Sequence, residues 1–319
     1  MTAPGDALDE VLGVLRCPAC GGALERRAGT VGCARGHSFD VARQGYLSLV
    51  AGGRTAPAGD TADMVAARER FLASGHFEPL ATALTDLLEH GFDGRGPVVD
   101  LGAGTGWYLA RVLGRFPTAA GVALDVSKPA LRRAARAHPR AAAVACDAWG
   151  PLPLRDHAAG AVLNVFAPRN AAEIARVLRP DGAALIVTPG PSHLRELVGP
   201  LGLVRVDPGK DERLERQLAA TLEPIEREEV RWRIRLDRDG ARAAAAMGPS
   251  AFHVAADELD RRLAELPASV DVTADVRLLL ARAAERRARP RAPAAGASGP
   301  DRRRSPPGSR PPRPPGGTG

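Results

Sequence analysis

The 319-residue sequence lacks the marks of secreted and membrane proteins. It contains only four cysteines, too few for a disulfide framework, and no apolar run approaches the ~20 residues of a membrane-spanning helix. Acidic residues precede any apolar run at the N-terminus, at Asp6, Asp9 and Glu10, which is unlike a secretory signal. These absences predict a protein of the reducing cytoplasm with no membrane partner. The length allows one sizeable α/β core and a small accessory module.

Three of the cysteines and one histidine follow the spacing of a zinc site, Cys17-x2-Cys20-x12-Cys33-x3-His37. Four nitrogen and sulfur ligands at this spacing suit tetrahedral Zn²⁺ and leave no coordination position open for chemistry. The pattern therefore predicts a structural zinc site rather than a set of unrelated thiols. The fourth cysteine, Cys146, lies in an apolar strand-like run and is interpreted as a small core residue, not a nucleophile.

The net charge of +7 comes from the C-terminal end of the chain. Residues 286–319 contain nine arginines and one acidic residue, Asp301, so that this segment carries +8 and residues 1–285 sum to about −1. The segment is rich in proline, glycine and serine and poor in large apolar residues, which predicts a disordered basic tail. Such a tail could attract phosphate nonspecifically, or it could be a solvated tail without a partner.

The middle of the chain alternates strand-like and helix-like segments. After a Gly/Pro/Ala-rich linker, 51–59, Asp60 is predicted to cap a helix through Phe71. Apolar runs predict strands at 98–101, 121–125, 142–146, 160–166 and 183–188. Helices are predicted at 79–90, 108–116, 128–137, 171–178 and 193–198, and a final antiparallel hairpin at 230–236 and 270–279. This order indicates an α/β fold with a mainly parallel sheet and helices on both faces.

The strongest chemical signal in this region is Val98-Val99-Asp100-Leu101-Gly102-Ala103-Gly104-Thr105-Gly106, an apolar strand that leads into three alternating glycines. Glycine lets the backbone approach a ligand closely and adopt conformations that other residues avoid. A dinucleotide fingerprint would be G-x-G-x-x-G, but here the third glycine comes one residue early and Trp107 stands in its place. The loop therefore favours S-adenosylmethionine over NAD or FAD, with the amino-acid end of the cofactor against its glycines and Gly102 as a cofactor-binding residue.

Acidic residues stand at the ends of the strands around this loop. Asp125 closes the second strand about twenty residues after the loop, where its carboxylate can accept both ribose hydroxyls. Asp147 closes the third strand, where it can meet the adenine amine. Either residue alone could be a helix cap. Together with Asp100 they place acids at three successive strand ends, which favours one cofactor crevice.

Further motifs carry a family resemblance: Cys-Pro-x-Cys at Cys17, Gly36-His37-Ser38-Phe39-Asp40, Gly45-Tyr46, Phe71-Leu72-x-x-Gly75-His76-Phe77, Leu124-Asp125-Val126-Ser127-Lys128, Phe166-Ala167-Pro168 and Thr188-Pro189-Gly190-Pro191-x-His193-Leu194. With these motifs in this order from Cys17 to Leu197, the sequence resembles the bacterial 23S rRNA guanine-N1 methyltransferases. Within that family, Val165-Phe166-Ala167-Pro168-Arg169-Asn170 resembles the branch linked to tylosin-type macrolide resistance. The tail lies outside the resemblance.

The resemblance implies a class I, Rossmann-like methyltransferase sheet with a small N-terminal zinc module that recognises RNA, in a homodimer. It predicts the zinc module at 1–50, a linker and helices that cover the cofactor pocket at 51–92, the methyltransferase domain at 93–285 and the tail at 286–319. The implied reaction moves a methyl group from S-adenosylmethionine to N1 of a guanine in a domain II hairpin of 23S rRNA. By matching positions, zinc ligation carries to Cys17, Cys20, Cys33 and His37, and cofactor contacts carry to Phe77, Gly104, Thr105 and His193.

The residue that assists proton removal is not identified by the sequence. Guanine N1 carries a proton in its neutral form, so a base or a group that stabilises oxygen O6 should help. Asn164 could orient the guanine, whereas His193 could accept a proton or only contact the cofactor. Tyr46, Trp107 and Tyr108 could stack on RNA bases or belong to the core.

Two other functions could use the same glycine loop. A small-molecule methyltransferase, such as one acting on an antibiotic scaffold, fits the glycines and acids equally well but has little use for a zinc module. A non-enzymatic binding protein with a degenerate methyltransferase fold predicts damaged cofactor residues, whereas the loop and Asp125 are intact. The sequence therefore favours the RNA methyltransferase.

Overall fold

The computed structural model describes residues 6–50, 59–204, 218 and 220–284. The predicted linker therefore lies outside the described residues except for Gly59, and the predicted basic tail lies outside them entirely. Within the described part of the chain, no helix is both long and apolar enough to cross a membrane.

An eight-stranded sheet lies at the centre of the described residues, in the order β10-β11-β9-β8-β5-β6-β7-β4. Its strands are β4 (Tyr46–Ser48), β5 (Val98–Leu101), β6 (Gly121–Asp125), β7 (Ala141–Ala145), β8 (Ala159–Val165), β9 (Leu178–Pro189), β10 (Leu222–Asp237) and β11 (Ser269–Ala283). Strands β4 to β9 pair in parallel, and β11 pairs antiparallel with both β9 and β10. The strand order reverses at β5, so the carboxyl ends of β5 and its neighbours border the crevice where such sheets bind ligands.

Helices cover both faces of this sheet. They are α1 (Asp6–Leu12), α2 (Ala62–Ala73), α3 (Glu78–Glu89), α4 (Trp107–Arg115), α5 (Lys128–Ala134), α6 (Ala171–Val177), α7 (Arg195–Leu201), α8 (Arg238–Ala246) and α9 (Ala256–Glu265). Every residue of β5, β7 and β8 is buried, as expected for strands with helices on both faces. One apolar cluster joins Leu84, Leu109 and Leu163, and a second joins Leu15, Val99 and Leu124 on the other side. The predicted class I methyltransferase sheet is confirmed.

The zinc module is a three-stranded antiparallel sheet of β1 (Leu24–Arg27), β2 (Thr30–Cys33) and β3 (Ser38–Asp40). Its buried side chains belong to the second apolar cluster, together with those of the large sheet. Just before the module, Leu15 pairs with Leu154 in an isolated antiparallel β-bridge, and the Arg16 amide donates to the Pro153 carbonyl at 3.0 Å. The next strand, β4, pairs in parallel with β7 and extends the large sheet. The segment that the sequence placed in the zinc module is thus divided between both sheets.

The structure corrects three sequence-based predictions. Asp60 does not cap α2, because the Thr61 hydroxyl accepts the Met64 amide and the Asp60 carboxylate pairs with Arg68 instead. The helix predicted at 193–198 is α7, Arg195–Leu201, because Leu194 has a left-handed backbone (φ 53°) that cannot continue a helix. The strand predicted at 183–188 begins at Leu178, and an irregular pairing between β8 and β9 accommodates the extra residues. The sequence did not predict α1, α8 or α9.

Candidate functional site

The four predicted zinc ligands converge in the N-terminal module. One ligand atom from each of Cys17, Cys20, Cys33 and His37 lies within 4.8 Å of the others. His37 Nδ1 is 3.3 Å from the Cys33 sulfur and 3.6 Å from the Cys17 sulfur, and the Cys20 and Cys33 sulfurs are 3.7 Å apart. Although burial opposes it, hydrogen bonds from His37 lower the pKa of Cys33 to about 6, which favours the thiolate that binds metals. This donor set fits a closed tetrahedral zinc site.

Two turns present these ligands. In the first, the Gly21 amide donates to the Cys17 carbonyl at 2.8 Å, and in the second the Gly36 amide donates to the Cys33 carbonyl at 3.0 Å. Both glycines have left-handed backbones, with φ of 72° and 86°, so the tight turns require them. Each turn therefore holds its pair of ligands before any ion binds.

The glycine loop lies at the carboxyl end of β5. A Cβ on Gly102 would lie 2.4 Å from the Ala167 Cβ, so a side chain there would displace the segment after β8. A Cβ on Gly104 would approach only the Arg68 guanidinium, at 3.1 Å. Gly106 caps α4 and packs against Ala134 of α5. Gly104 is thus buried, and its lack of a Cβ leaves room for the Arg68 side chain beside the loop.

Asp125 lies beside this loop at the end of β6. Its two carboxylate oxygens accept the backbone amides of Gly104 and Ser127, each at 2.8 Å. Burial raises the pKa of Asp125, and these two hydrogen bonds oppose that rise. Each oxygen keeps a lone pair, so the carboxylate can still accept ribose hydroxyls.

Asp100 is a second acid at the loop, fully enclosed within β5. One of its carboxylate oxygens has no hydrogen-bond partner among the described residues. Burial, assisted by the charge of Asp125, raises the pKa of Asp100 to about 7. A buried acid without partners next to a ligand loop is typical of functional sites.

Phe77 and His193 meet in an aromatic cluster at the same edge of the sheet. The Phe77 ring centroid is 6.0 Å from that of His193, 6.5 Å from that of Phe166 and 5.5 Å from that of Trp232. Phe166 follows β8 with a left-handed backbone (φ 52°) and is 38% exposed. The structure therefore brings together two of the predicted cofactor residues and one exposed ring at the end of β8.

His193 is held in one tautomeric form. Its Nδ1 accepts the backbone amide of Asp275 at 3.3 Å, so the proton of the neutral ring is on Nε2. Burial lowers the pKa of His193 to about 4. In this arrangement the neutral His193 ring presents a hydrogen-bond donor, Nε2–H, away from Asp275.

The remaining candidates have structural partners. Asn164 is fully buried, and its amide donates to the carbonyls of Leu101 and Pro168. Tyr46 is buried in the core. The Arg111 guanidinium carbon lies 4.1 Å from the centroid of the Trp107 ring. The centroids of the Trp107 and Tyr108 rings are 4.9 Å apart. Tyr46 thus belongs to the core, whereas Trp107 and Tyr108 are partly buried and pack against other side chains.

Asp147 and Cys146 follow β7. Asp147 lies two residues beyond the strand, where its carboxylate accepts the Trp149 amide at 2.9 Å. Cys146 is buried, and burial raises the pKa of its thiol far above the usual range, which suits a core residue. Asp147 lies at the same sheet edge as Asp125, because the amide of the preceding residue, Cys146, donates to the Asp125 carbonyl at 3.0 Å.

Sequence reasoning missed three residues that contact the site, two through their side chains and Asp275 through its backbone amide. They are Arg68 on α2, Asp275 on β11 and Trp232 on β10. None lies in a recognisable motif. Each reaches the glycine loop or the aromatic cluster only through the fold.

Comparisons with known proteins agree with both parts of the chain. Residues 15–51 match the zinc-ribbon family described as RlmA, N-terminal, and residues 98–182 match a family described as methyltransferase domain. The 23S rRNA (guanine(748)-N(1))-methyltransferase of Streptomyces fradiae is 51% identical over 274 residues, covering 85% of this chain and 98% of that protein. A Micromonospora griseorubida protein named as a 23S rRNA (guanine-N(1)-)-methyltransferase is 50% identical over 287 residues, covering 84% and 97%. A Bacillus subtilis protein of the same designation is 30% identical over 194 residues, covering 58% and 67%.

Proposed function

Because this chain belongs to the family of 23S rRNA (guanine-N1)-methyltransferases, we propose that it methylates the guanine equivalent to guanine 748, the nucleotide in the name of the Streptomyces fradiae relative. The supporting observation is identity of 51% along 98% of that relative, which includes the zinc module and the glycine loop. S-adenosylmethionine is the methyl donor and Zn²⁺ is structural. The proposed target lies in a domain II hairpin of 23S rRNA, and its methylation would protect a cell from tylosin-type macrolides. The enzyme is proposed to act in the cytoplasm as a homodimer.

The residues around the glycine loop fit the cofactor. Gly102, Gly104 and Thr105 form the loop against which the cofactor would lie, and the amides of Gly102 and Gly104 are already bound to the Leu124 carbonyl and the Asp125 carboxylate. Asp125 offers its remaining carboxylate lone pairs to the ribose, and Asp147 serves the adenine amine. Phe77 and His193 cover the reacting end. When bound, S-adenosylmethionine supplies an electrophilic methyl group, so the chain's own work is positioning, exclusion of water and assistance to the acceptor.

The neutral His193 suits this assistance as a donor. Guanine N1 gains the methyl group and loses its proton, which passes to the bulk solvent, and negative charge moves onto O6 as that proton leaves. The Nε2–H of His193 is available to stabilise such charge, because Nδ1 is already used by Asp275. No strongly basic side chain is required.

An unstacked guanine needs an apolar surface at the site. Enzymes that modify bases in structured nucleic acid remove the base from its stack. Phe166 offers a ring that is 38% exposed and 5.6 Å from His193 between centroids. The strained backbone of Phe166 supports a functional role for this position.

Basic residues near the zinc module support contact with the RNA backbone. Arg43, before β4, and Arg136, after α5, line the same surface depression. Two guanidinium groups at one depression suit phosphate groups of RNA. These residues support an RNA path on the side where the zinc module joins the sheet.

The test is methyl transfer from labelled S-adenosylmethionine to 23S rRNA that lacks native modification, followed by primer extension. A methyl group on N1 blocks the Watson–Crick edge, so a single new stop should appear at the domain II guanine. A transcript with adenine at that position is the control and should give no stop. Tight cofactor binding without incorporation into RNA would contradict the proposal and would direct attention to small-molecule acceptors.

A further inference from the structure

We propose that Arg68 of α2 binds the carboxylate of the cofactor's methionine moiety, an inference that rests on the proposed use of S-adenosylmethionine. The methionine end of this cofactor carries both a carboxylate and an ammonium group. The side chains already placed at the glycine loop, Asp100 and Asp125, are acidic. A carboxylate bound there needs a cation, and Arg68 is the cation that the structure places beside the loop.

The position of Arg68 is defined by its contact with Gly104. A Cβ at Gly104 would lie 3.1 Å from Arg68 Nη1 and 3.6 Å from its Cδ, and the three nearest atoms all belong to Arg68. Gly104 is also the residue whose amide binds Asp125. The guanidinium therefore lies directly against the part of the loop that faces the ligand.

Hydrogen bonds orient the guanidinium without using all of its donors. Nη1 donates to the Asp60 carboxylate and Nη2 donates to the Met247 carbonyl at 2.7 Å. A guanidinium has five N–H donors in a planar fork that matches a carboxylate, so donors remain for a ligand. Asp60 and Met247 thus hold Arg68 in a fixed position before the cofactor binds.

The partner Asp60 is itself fixed to the cofactor edge of the sheet. Its backbone carbonyl accepts the Ser127 hydroxyl at 2.7 Å, and Ser127 also donates its amide to Asp125. The charge of Arg68 reaches Asp125, where it opposes the rise in pKa that burial causes. Arg68, Asp60 and Asp125 therefore form one charged group around the loop, and α2 contributes directly to it.

Arg68 also links α2 to the end of α8 through Met247. Its removal could loosen this packing, so the test must separate a ligand contact from a structural one. Calorimetry should first compare S-adenosylhomocysteine with 5′-methylthioadenosine. The latter has the same nucleoside and sulfur but lacks the methionine carboxylate and ammonium. A third ligand, decarboxylated S-adenosylhomocysteine, lacks only the carboxylate.

Arg68→Ala should weaken binding of S-adenosylhomocysteine by roughly 10- to 100-fold and leave binding of 5′-methylthioadenosine within about threefold. Arg68→Lys, which keeps the charge but loses the planar fork, should give an intermediate loss. The control is Arg133→Ala. Arg133, on α5, pairs with Glu69, which lies next to Arg68 on α2, and this pair is on an exposed surface. This variant should leave the affinity for both ligands unchanged.

An equal loss for both ligands in Arg68→Ala, or no loss for either, would overturn the proposal. If Arg68→Ala does not fold, the unmodified protein still decides: it must bind S-adenosylhomocysteine at least about 10-fold more tightly than the decarboxylated ligand. Failure of the proposed function has a different signature. It would appear as normal binding of S-adenosylhomocysteine without methylation of RNA, or as no binding of any of these ligands.

Discussion

The backbone amide of Asp275 donates a hydrogen bond to Nδ1 of His193 at 3.3 Å, and this contact decides what the imidazole can do. A neutral imidazole has one donor and one acceptor nitrogen, and here the acceptor is already used. Asp275 belongs to β11, the last strand of the described chain, whereas His193 follows β9. The antiparallel pairing of these strands therefore sets the protonation pattern beside the cofactor edge.

Substitution of His193 distinguishes a donor from a base. His193→Gln keeps an N–H donor but cannot act as a general base, and we expect it to retain kcat within about 10-fold of the unmodified enzyme. His193→Leu removes the donor and should lower kcat on the order of 100-fold. Steady-state methylation of a domain II transcript at saturating cofactor and RNA measures kcat for both variants. Equal and severe losses in the two variants would favour a base.

The pH profile of the reaction gives a second test of His193. Because burial lowers its pKa to about 4, His193 stays neutral above about pH 5. His193 should therefore contribute no inflection near 6.5, the usual pKa of histidine, to the rate measured between pH 5.5 and 8. The rate should rise as guanine N1 becomes easier to deprotonate, and an effect of Asp100, whose pKa is raised to about 7, should appear in both the unmodified enzyme and His193→Gln. A bell-shaped or sigmoidal profile centred near 6.5 in the unmodified enzyme, absent in His193→Gln, would contradict this prediction.

Asp100 should make the stability of the free protein depend on pH. Its pKa is raised to about 7 in the folded state, above the ordinary aspartate value, so the folded state binds the proton more tightly than the unfolded state. The stabilisation is therefore present at acid pH and is lost as the pH rises to 7. Asp100→Asn removes this dependence.

The measurement for Asp100 is urea unfolding of both proteins at pH 5 and pH 8. The free energy of unfolding of Asp100→Asn, relative to the unmodified protein, should increase by roughly 2–3 kcal/mol between these two pH values. A difference that does not change with pH would mean that Asp100 is ionised in the folded protein at both.

Two neighbouring glycines should fail in different ways. Alanine at Gly102 would put its Cβ 2.4 Å from that of Ala167 at a φ of 78°, so Gly102→Ala should lower the free energy of unfolding by about 2 kcal/mol or more. At Gly104 the three nearest atoms to an added Cβ belong to the end of the Arg68 side chain, so Gly104→Ala should cost less, about 1 kcal/mol, but it should weaken binding of S-adenosylhomocysteine. Thermal unfolding and calorimetry of both variants check this order. Equal stabilities would contradict it.

The parts of the structure that could be predicted from the sequence are local in the chain. The zinc ligands lie within 20 residues of one another, and the loop from Gly102 to Gly106 follows directly from its strand, so their patterns are visible in order. The contacts of Arg68 with Met247 span 179 residues, and those of His193 with Asp275 span 82. No periodicity relates such pairs, because only the completed sheet brings them together.

The boundary between the zinc module and the sheet illustrates the same limit. Spacing alone identified Cys17 and Cys33, but it could not reveal that both are buried in an apolar cluster shared with Val99 and Leu124. It also could not reveal that β4 continues the large sheet beside β7. The module is therefore part of the main core, and this has a consequence for metal removal.

Loss of zinc should destabilise the methyltransferase domain as well as the module. Cys33→Ser removes one ligand from a closed site, and structural zinc contributes folding free energy directly. We expect the bound zinc to fall from one ion per chain to none. Because the module shares its core with β5 and β6, we also expect the Tm to drop by about 10 °C, since each kcal/mol of lost stability shifts the Tm by roughly 2–4 °C at this size.

The matched control is Cys146→Ala, a buried cysteine outside the zinc cluster. It should lose some stability through its small cavity but keep one zinc ion per chain, as measured by metal analysis. Addition of a chelator should lower the Tm of Cys146→Ala and leave that of Cys33→Ser unchanged. If Cys33→Ser lost its zinc but kept the Tm of the unmodified protein, the shared core would not depend on the metal, and the zinc would serve only the RNA-facing surface of the module.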